Sequence, residues 1–551
     1  MKNKFIFFIL STLSGIMLWL SWYPISITFL IFFAFIPLFF ISEKIVNSSM
    51  RHPFWQSVGF SFPAFLIWNA ATTWWIWNST AEGSLAAFIL NALFMSIIFG
   101  FWTHYRTRRH TLIPHSIFLI SLWMSFEFLH LHWDLQWPWL NLGNVFAPCT
   151  QYVQWYSVTG TFGGTLWILI INILIFNIIK SIKIDKKVMW RNIFITFTLF
   201  LIPILISVIT FANYKIPEKN GVEAVVVQPN TDPYSEQFYL GNDDFVARII
   251  ETAMPKITDS TAIILTPESS IHRTVIENLL VSRKFSPENP SYYGITLFDS
   301  LFQYYPNINI IAGISTVKFY NYPATITAQD NGKGMFVDVF NTAMSYNRHG
   351  AVDFYHKSHL VPGVEKMPFA KVLHAIGFDN VVINLGGPRS PLGTDSISHP
   401  LIASTNDRNI KIGVPICYES VFGEVCGEFV QNGAAFLGII TNDAWWGETP
   451  GHQQHFIYAK LRAVETRRYV IRAANTGISA IINPRGEVMK KTRYNERTAI
   501  SGTIYPNEKI TFYAKNGDYL ARFAVGIMLL SLISHLFYSI YKRIKTKKRL
   551  A

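Results

Sequence analysis

Three apolar runs in this chain end on residues that can perform acyl chemistry together. Gly413-Val414-Pro415-Ile416-Cys417-Tyr418-Glu419 closes a buried-strand pattern on a thiol, Leu265-Thr266-Pro267-Glu268 closes another on a carboxylate, and Tyr355-His356-Lys357 closes a third on an amine. A thiol that attacks a carbonyl, a carboxylate that takes its proton and a cation that holds the oxyanion form one covalent-catalysis set. Singly, each residue has a structural explanation: a buried cysteine is usually inert, and a lysine after a strand is usually a solvated edge. Their joint arrival at strand ends argues for catalysis. Unassisted transfer of a thiol proton to a glutamate is uphill by about 4 pKa units, roughly 6 kcal/mol. Burial is therefore expected to raise Glu268 while Lys357 favours the thiolate, closing the gap from both ends.

The elements that must position these residues alternate along residues 221–506. Short β-rich runs at 222–228, 262–266, 308–315, 337–346, 410–416, 435–441, 478–483 and 498–504 are mostly apolar on both faces, as strands covered on both sides are. Residues 455–472 read as an amphipathic helix. The mixture predicts a two-sheet α/β sandwich. There is no G-x-S-x-G, no G-x-G-x-x-G and no phosphate loop. His452 with His455, and His356 with His359, have an i, i+3 spacing that metal ligands can use. Neither pair has a cysteine or acidic partner at ligand spacing, and the chemistry needs none, so no metal and no other cofactor is expected. Cys149, Cys417 and Cys426 do not make a disulfide framework.

Outside this region the chain is greasy: half of its 551 residues are apolar and 15% are charged. Seven apolar runs long enough to cross a bilayer, roughly 5–20, 26–42, 54–76, 83–103, 112–130, 160–179 and 192–212, precede the polar region, and an eighth, 519–540, follows it. Segments 1–4, 43–53, 104–111, 180–191 and 541–551 share one side if every run crosses. Together they hold eighteen Lys and Arg against two acids, Glu43 and Asp185, whereas 21–25, 77–82 and 131–159 hold no Lys or Arg. By the positive-inside rule both termini are cytoplasmic and the polar domain lies outside. The net charge of +13 thus reports topology, and nucleic-acid binding, which needs a basic folded face, is not expected. This reading divides the chain into a membrane domain at 1–212, a catalytic domain at 221–506, an eighth helix at 519–540 and a basic cytoplasmic tail at 541–551. Glu127 is a functional candidate as an intramembrane carboxylate, and Trp68, Trp74, Trp75 and Trp77 read as an interfacial belt.

Glu, Lys and Cys strand ends in that chain order resemble the nitrilase superfamily of carbon–nitrogen hydrolases. Further motifs narrow this: Gln228-Pro229-Asn230, Phe340-Asn341-Thr342-Ala343, Lys357-Ser358-His359-Leu360-Val361-Pro362, Thr441-Asn442-Asp443-Ala444-Trp445-Trp446-Gly447 and, in the loop before the sixth span, Trp137-Pro138-Trp139-Leu140-Asn141-Leu142-Gly143. With the eight spans, they resemble the bacterial apolipoprotein N-acyltransferases, the membrane-embedded branch of that superfamily. The resemblance implies a multi-pass helical membrane domain carrying an αββα nitrilase-like domain in the inner membrane, with catalysis on the periplasmic side. It implies Glu268, Lys357 and Cys417 as catalytic residues and Glu365 as a supporting carboxylate. The family usually reads Leu-Val-Pro-Phe-Gly-Glu where this chain has Leu360-Val361-Pro362-Gly363-Val364-Glu365, so the loop's aromatic is absent. The implied reaction moves the sn-1 acyl chain of a phospholipid through a Cys417 thioester to the α-amino group of a diacylglyceryl-cysteine lipoprotein, by a monomeric enzyme.

Around that core, the Tyr418 amide reads as a second oxyanion donor, Glu419 as a hydrogen-bonding structural carboxylate, and Asn341 as a residue that positions a loop or the substrate. Met367, Phe369, Val372, Leu373, Ile376 and Phe378, together with Trp445 and Trp446, are candidates for a greasy lid or for ordinary core. Two other functions use the same features. A membrane-tethered amidase would share the triad but needs only one helix as tether. A non-catalytic scaffold or transporter would not need the triad intact.

Overall fold

A computed structural model of the chain describes residues 2–48, 50–108, 113–182, 185–282, 294–325, 327–369, 372, 392–405 and 408–550. Seven helices come first: α1 (Lys2–Ser21), α2 (Ile36–Asn47, entered through a 3₁₀ turn at Thr28–Phe32), α3 (Pro53–Thr73), α4 (Ala81–Arg106), α5 (His115–His132), α6 (Tyr156–Ser181) and α7 (Lys186–Asn213). A final helix runs over Tyr519–Leu550. Among the described residues six segments are long and apolar enough to cross a membrane: Lys4–Ser21, Thr28–Asn47, Ala81–Arg106, Tyr156–Ser181, Lys186–Asn213 and Tyr519–Tyr538. The remaining two expected spans, α3 and α5, do form helices, but polar side chains lower their hydropathy. Several of those groups are buried and partnered. Asn69 donates to Phe65 O at 2.9 Å. Glu127 accepts from Trp123 Nε1 at 3.0 Å, Leu142 N at 2.8 Å and Thr165 Oγ1 at 2.7 Å, so this carboxylate fastens the chain after α5 to α6. Nor do the four tryptophans form one belt. Trp68 and Trp75 are buried, against Trp22 and against Trp139 and Trp446 respectively, while Trp74 and Trp77 are exposed.

Between α7 and the last helix lie two sheets. The first has the order β14-β1-β2-β4-β6-β5, with β3 beside β4 and β7 beside β6. Its strands are β1 (Val222–Gln228), β2 (Thr261–Leu265), β3 (Ile271–Ile276), β4 (Asn309–Tyr320), β5 (Gln329–Asp330), β6 (Phe336–Asn347), β7 (Gly350–His356) and β14 (Thr498–Ile504). The second has the order β13-β12-β11-β10-β9-β8, from β8 (Leu401–Ser404), β9 (Asn409–Gly413), β10 (Phe436–Thr441), β11 (Val470–Ala474), β12 (Ala480–Ile482) and β13 (Val488–Lys491). The centres, β1-β2-β4 and β9-β10-β11, are parallel.

Strand alternation builds two cores. Ala224, Val226, Ile263, Leu265 and Ile311 face the other sheet and join the large core that continues into the membrane helices. Val225, Val227, Ile264 and Ile310 face outward onto Val246 and Ile249 of the helix Asn242–Ala253. This is why β1 and β2 read as unbroken apolar runs.

One element departs from expectation. The helix predicted at 455–472 is a helix at Pro450–Thr466, a left-handed Arg467 (φ +52°) and then β11. Nor is the helix amphipathic against water. Gln454, His455, Arg462 and Glu465 are all buried, because the second sheet covers one face and α6 with the Leu142–Tyr152 segment covers the other.

Candidate active site

Glu268 stands three residues beyond β2. Thr266 N still donates to Ile311 O at 2.9 Å, and Thr266 Oγ1 pairs with Ser270 Oγ at 2.7 Å, so the loop is closed on itself. It also lies flat on β4. A Cβ on Gly313 would come 2.1 Å from Pro267 O and 2.7 Å from Glu268 Cα, so only glycine lets the carboxylate approach. Lys357 follows β7, and its N–H donates to Asn341 O at 2.9 Å, extending the β6–β7 ladder by one residue. Cys417 follows β9 at the start of a 3₁₀ turn, Cys417–Val421, with φ +52°. A left-handed non-glycine residue costs about 1–3 kcal/mol, so surrounding bonds must hold it. Residues Glu268, Cys417 and Asn442 all leave the carboxyl ends of parallel strands, where α/β sheets gather their sites.

The side chains converge. Lys357 Nζ lies 3.2 Å from Glu268 Oε1 and 2.8 Å from Glu365 Oε1. Asn341 Nδ2 donates to the same two atoms, at 2.7 Å and 3.4 Å. Asn442 N donates to Glu268 Oε2 at 3.0 Å, and Val361 N to Glu365 Oε2 at 2.8 Å. Glu365 arrives although its loop lacks the family's aromatic. A turn with Gly363 at φ +78° and Gly363 N on Lys366 O at 2.8 Å delivers it. Burial opposes the charge on Lys357, but Glu268, Glu365 and Cys417 outweigh it and hold the ammonium well above the ordinary lysine range. Burial and the Glu268 charge likewise push the Cys417 thiol well above 9.0, against the pull of Lys357. Lys357 does favour the thiolate as expected, but burial first and the Glu268 charge second outweigh it, so the net direction favours the protonated sulfur.

Glu419 binds no substrate-facing group. It accepts from Tyr355 OH (2.8 Å), Ser358 N (2.6 Å), Ser358 Oγ (2.6 Å), His359 N (3.1 Å) and Ile416 N (2.7 Å), pinning the Lys357 loop to the Cys417 turn. Burial raises its pKa despite these donors. Tyr418 OH donates to Gln136 O at 2.7 Å, so the residue after the thiol is tied to the segment following α5. Among the lid candidates, Phe369 N donates to Asp134 Oδ2 at 3.0 Å and its ring faces Trp133 at 6.3 Å, which sets the 361–369 loop, Met367 included, over that same segment. Trp446 packs against Trp75, Trp139 and His455, and Trp445 against Tyr234. Leu373, Ile376 and Phe378 lie outside the described residues.

Two groups here escaped the sequence reading. Asp443, buried, pairs with His455 Nδ1 at 2.8 Å and Arg472 Nη2 at 2.7 Å, and these partners hold its carboxyl below the usual range against the opposing effect of burial. His455 Nε2 in turn reaches Cys417 O at 3.1 Å. The signal was available as polar residues inside a helix whose outer face was presumed wet. The second group is His356, clamped between Glu277 (2.6 Å) and Asp395 (2.8 Å) immediately before Lys357. Thus neither His356 nor His455 is free to bind a metal. Among the described residues no group of three or more His, Cys, Asp or Glu is placed to share one.

The clamp yields a pH prediction. Burial disfavours the His356 imidazolium, but the two carboxylates overcome this and raise it above 6.5; Glu277 and Asp395 are lowered from 4.5 and 3.8. The histidine's contribution is full below about pH 6.5 and is lost as pH rises through its folded pKa; the acids' contributions are present above about 4.5 and are lost as pH falls through their depressed values. The stability difference between wild type and His356→Asn should therefore peak near pH 5–6, at about 1.5–3 kcal/mol, and shrink above pH 8. Urea denaturation across pH checks it; a difference that grows with pH would contradict the charged clamp.

A family model described as carbon-nitrogen hydrolase matches residues 307–509, and one described as apolipoprotein N-acyltransferase N-terminal domain matches residues 14–174. The apolipoprotein N-acyltransferase of Chlorobaculum tepidum is 24% identical over 94% of this chain and 95% of its own length. That of Thermotoga maritima is 24% identical over 95% and 92%, and that of Agrobacterium fabrum is 35% identical over 33% of each chain. Among solved structures, Saccharomyces cerevisiae Nit3, of the nitrilase superfamily, is 17% identical, with coverage of 54% of this chain and 93% of its own and a TM-score of 0.34.

Proposed function

The chain belongs to the apolipoprotein N-acyltransferase family, and on that premise we propose that Cys417 carries a phospholipid acyl chain to lipoproteins with Glu268 as base and Lys357 as oxyanion partner. The observation that carries this is the convergence of these groups beside the segment following α5. The thiol is half-buried, and the residue after it is bonded to the membrane domain.

In the first half-reaction the Cys417 sulfur attacks the sn-1 ester carbonyl while Glu268 takes the S–H proton. The oxyanion is held by Lys357 Nζ and the Tyr418 N–H, each donor worth about 3 kcal/mol in comparable sites. Collapse breaks the C–O bond, and Glu268 returns the proton to the departing lyso-phospholipid oxygen. In the second half-reaction the free amine of a diacylglyceryl-cysteine attacks the thioester, Glu268 accepts its proton, and the thiol is restored. The kinetics are ping-pong. The Asn341 side chain fits a positioning role: Nδ2 bridges the two carboxylates, and the buried Oδ1 has no hydrogen-bond partner among the described residues, which leaves it for an incoming N–H.

The membrane domain supplies what a soluble amidase lacks. Exposing a ~16-carbon chain to water costs on the order of 13 kcal/mol at about 0.8 kcal/mol per methylene. We place all eight helices across the inner membrane of a bacterium, with both termini cytoplasmic and the 221–506 domain outside, on the basis of the loop charges. The 361–369 loop, with Met367 and Phe369, would cover the acyl chain, and the protein acts as a monomer.

The test is the intact mass of purified protein incubated with phospholipid and no acceptor, beside Cys417→Ala. The expected result is a long-chain acyl adduct on wild type only, released by neutral hydroxylamine. Absence of the adduct with Cys417-dependent turnover of a small amide would favour the amidase, and absence of both would favour the scaffold.

A further inference from the structure

Gln454 and His455 are neighbours on the helix Pro450–Thr466, and they point into two different domains. Gln454 is fully buried and all its hydrogen-bonding capacity is used on the membrane side. Its Oε1 accepts from Trp75 Nε1 at 3.2 Å and Trp139 Nε1 at 2.7 Å; its Nε2 donates to Tyr23 O at 2.8 Å and Thr72 O at 3.1 Å. Those four partners come from three separate connections of the helical bundle. They lie after α1, at the end of α3 and beyond it, and after α5.

His455 points the other way. Its Nδ1 meets Asp443 Oδ1 at 2.8 Å and Arg472 Nη2 at 3.1 Å, and Asp443 is itself held by Thr441 Oγ1 at 2.8 Å and Arg472 at 2.7 Å. Its Nε2 meets Ser420 Oγ at 2.9 Å and Cys417 O at 3.1 Å, and Ser420 Oγ donates to the same carbonyl at 2.7 Å. A carbonyl only accepts, so Cys417 O is a point on which two donors can converge.

That carbonyl shares a rigid peptide plane with the Tyr418 N–H, which points in the opposite direction. Fixing one fixes the other. Cys417 is left-handed, so this plane depends on the bonds to its carbonyl, one from Ser420 within the turn and one from His455 outside it. Trp139 joins the two halves, bonding Gln454 through Nε1 while its ring lies 5.7 Å from that of His455.

We propose that Gln454 and His455 are a pair of positioning residues through which the seating of the catalytic domain on the membrane helices sets the Cys417–Tyr418 peptide plane, and so the aim of the oxyanion donor. Acylation is then tuned by the bundle through Gln454, which touches no reacting atom. This rests on the acyl-transfer reading above.

The experiment compares Gln454→Leu, His455→Gln and the double variant with wild type. Lys460→Met is the control for a second contact of the same helix with the membrane domain, Lys460 Nζ to Pro148 O at 2.9 Å, which reaches nothing at Cys417. Two acyl donors are used, phospholipid vesicles and p-nitrophenyl butyrate, and Cys417 is separately alkylated with iodoacetamide. Alkylation at a tetrahedral carbon forms no oxyanion. Each single variant should lose roughly 10- to 100-fold in acylation rate at saturating donor, with KM and the alkylation rate within about threefold of wild type. The double variant should lose no more than the worse single one, and Lys460→Met should match wild type. Additive losses, alkylation falling in step with acylation, or acylation at the wild-type rate would each overturn the proposal. If wild type is acylated by the nitrophenyl ester and not by phospholipid, the lipid reading fails while the ester still decides the coupling; if neither acylates it, both fall.

Discussion

Replacing Lys357 by Met is expected to cut acyl-thioester formation by roughly 10³-fold and to destabilise the catalytic domain by about 3–5 kcal/mol. Both effects come from one atom. Among the described residues Lys357 Nζ is the only ammonium between Glu268 and Glu365, and its side chain is 1% exposed. Without it, the two carboxylates share only the Asn341 Nδ2 donor, with one backbone N–H each from Asn442 and Val361, and like charges that close cannot both stay ionised in a buried site. One of them takes up a proton, which blunts the base as the oxyanion loses its cation. Arginine would not restore function, because a planar fork cannot replace a compact point charge between two fixed oxygens. Single-turnover adduct formation and a denaturant midpoint measure the two effects separately. An unchanged midpoint would mean that the ion pairs at 3.2 Å and 2.8 Å contribute nothing, contrary to the geometry.

Glu268→Gln should be as damaging to chemistry and far gentler to the fold. The amide keeps the shape and an oxygen that Asn442 N can still bond, so the stability loss should stay near 1–2 kcal/mol. Acylation should fall by about 10²–10⁴-fold, the usual contribution of a positioned base. Since the Cys417 thiol sits well above 9.0, the variant's residual rate should climb about tenfold per pH unit through the neutral and mildly alkaline range, as hydroxide replaces the missing carboxylate. Glu365→Gln, which leaves the base in place, should lose only roughly tenfold by comparison. A pH-independent residual rate in Glu268→Gln would point to a different base.

What could be read in the linear chain was whatever local pattern dictates. The strands at 222–228 and 498–504 appear with those bounds because β-rich runs between polar flanks mark them, and the strand ends bring Lys357 and Glu268 to 3.2 Å, with Cys417 near enough to feel both charges. The errors arise where distant parts of the chain decide. Arg467 breaks an apparently continuous helix because its guanidinium is drawn to Gln154, on the membrane side, at 2.6 Å and 2.9 Å. The face of Pro450–Thr466 that seemed wet is dry because α6 covers it. Likewise α5 looks weaker as a span than it is as a helix, since His130 and Glu127 are satisfied by Asn91 and Thr165, tens of residues away. The ionic clamp on His356 depends on Glu277, in an element with no distinct periodicity, so nothing near Lys357 announced it.

The protonated state of Cys417 has a consequence for the lifetime of the protein. Disulfide exchange, peroxide oxidation and metal capture all proceed through the thiolate. A sulfur whose proton is retained by burial and by the Glu268 charge is therefore a poor target for each of them, and Cys426, nine residues away, is buried with its own thiol pushed up to about 12. In the proposed reaction the thiol loses its proton only to Glu268, as it attacks the ester carbonyl. Wherever the enzyme meets oxidants, the resting thiol thus carries its own protection.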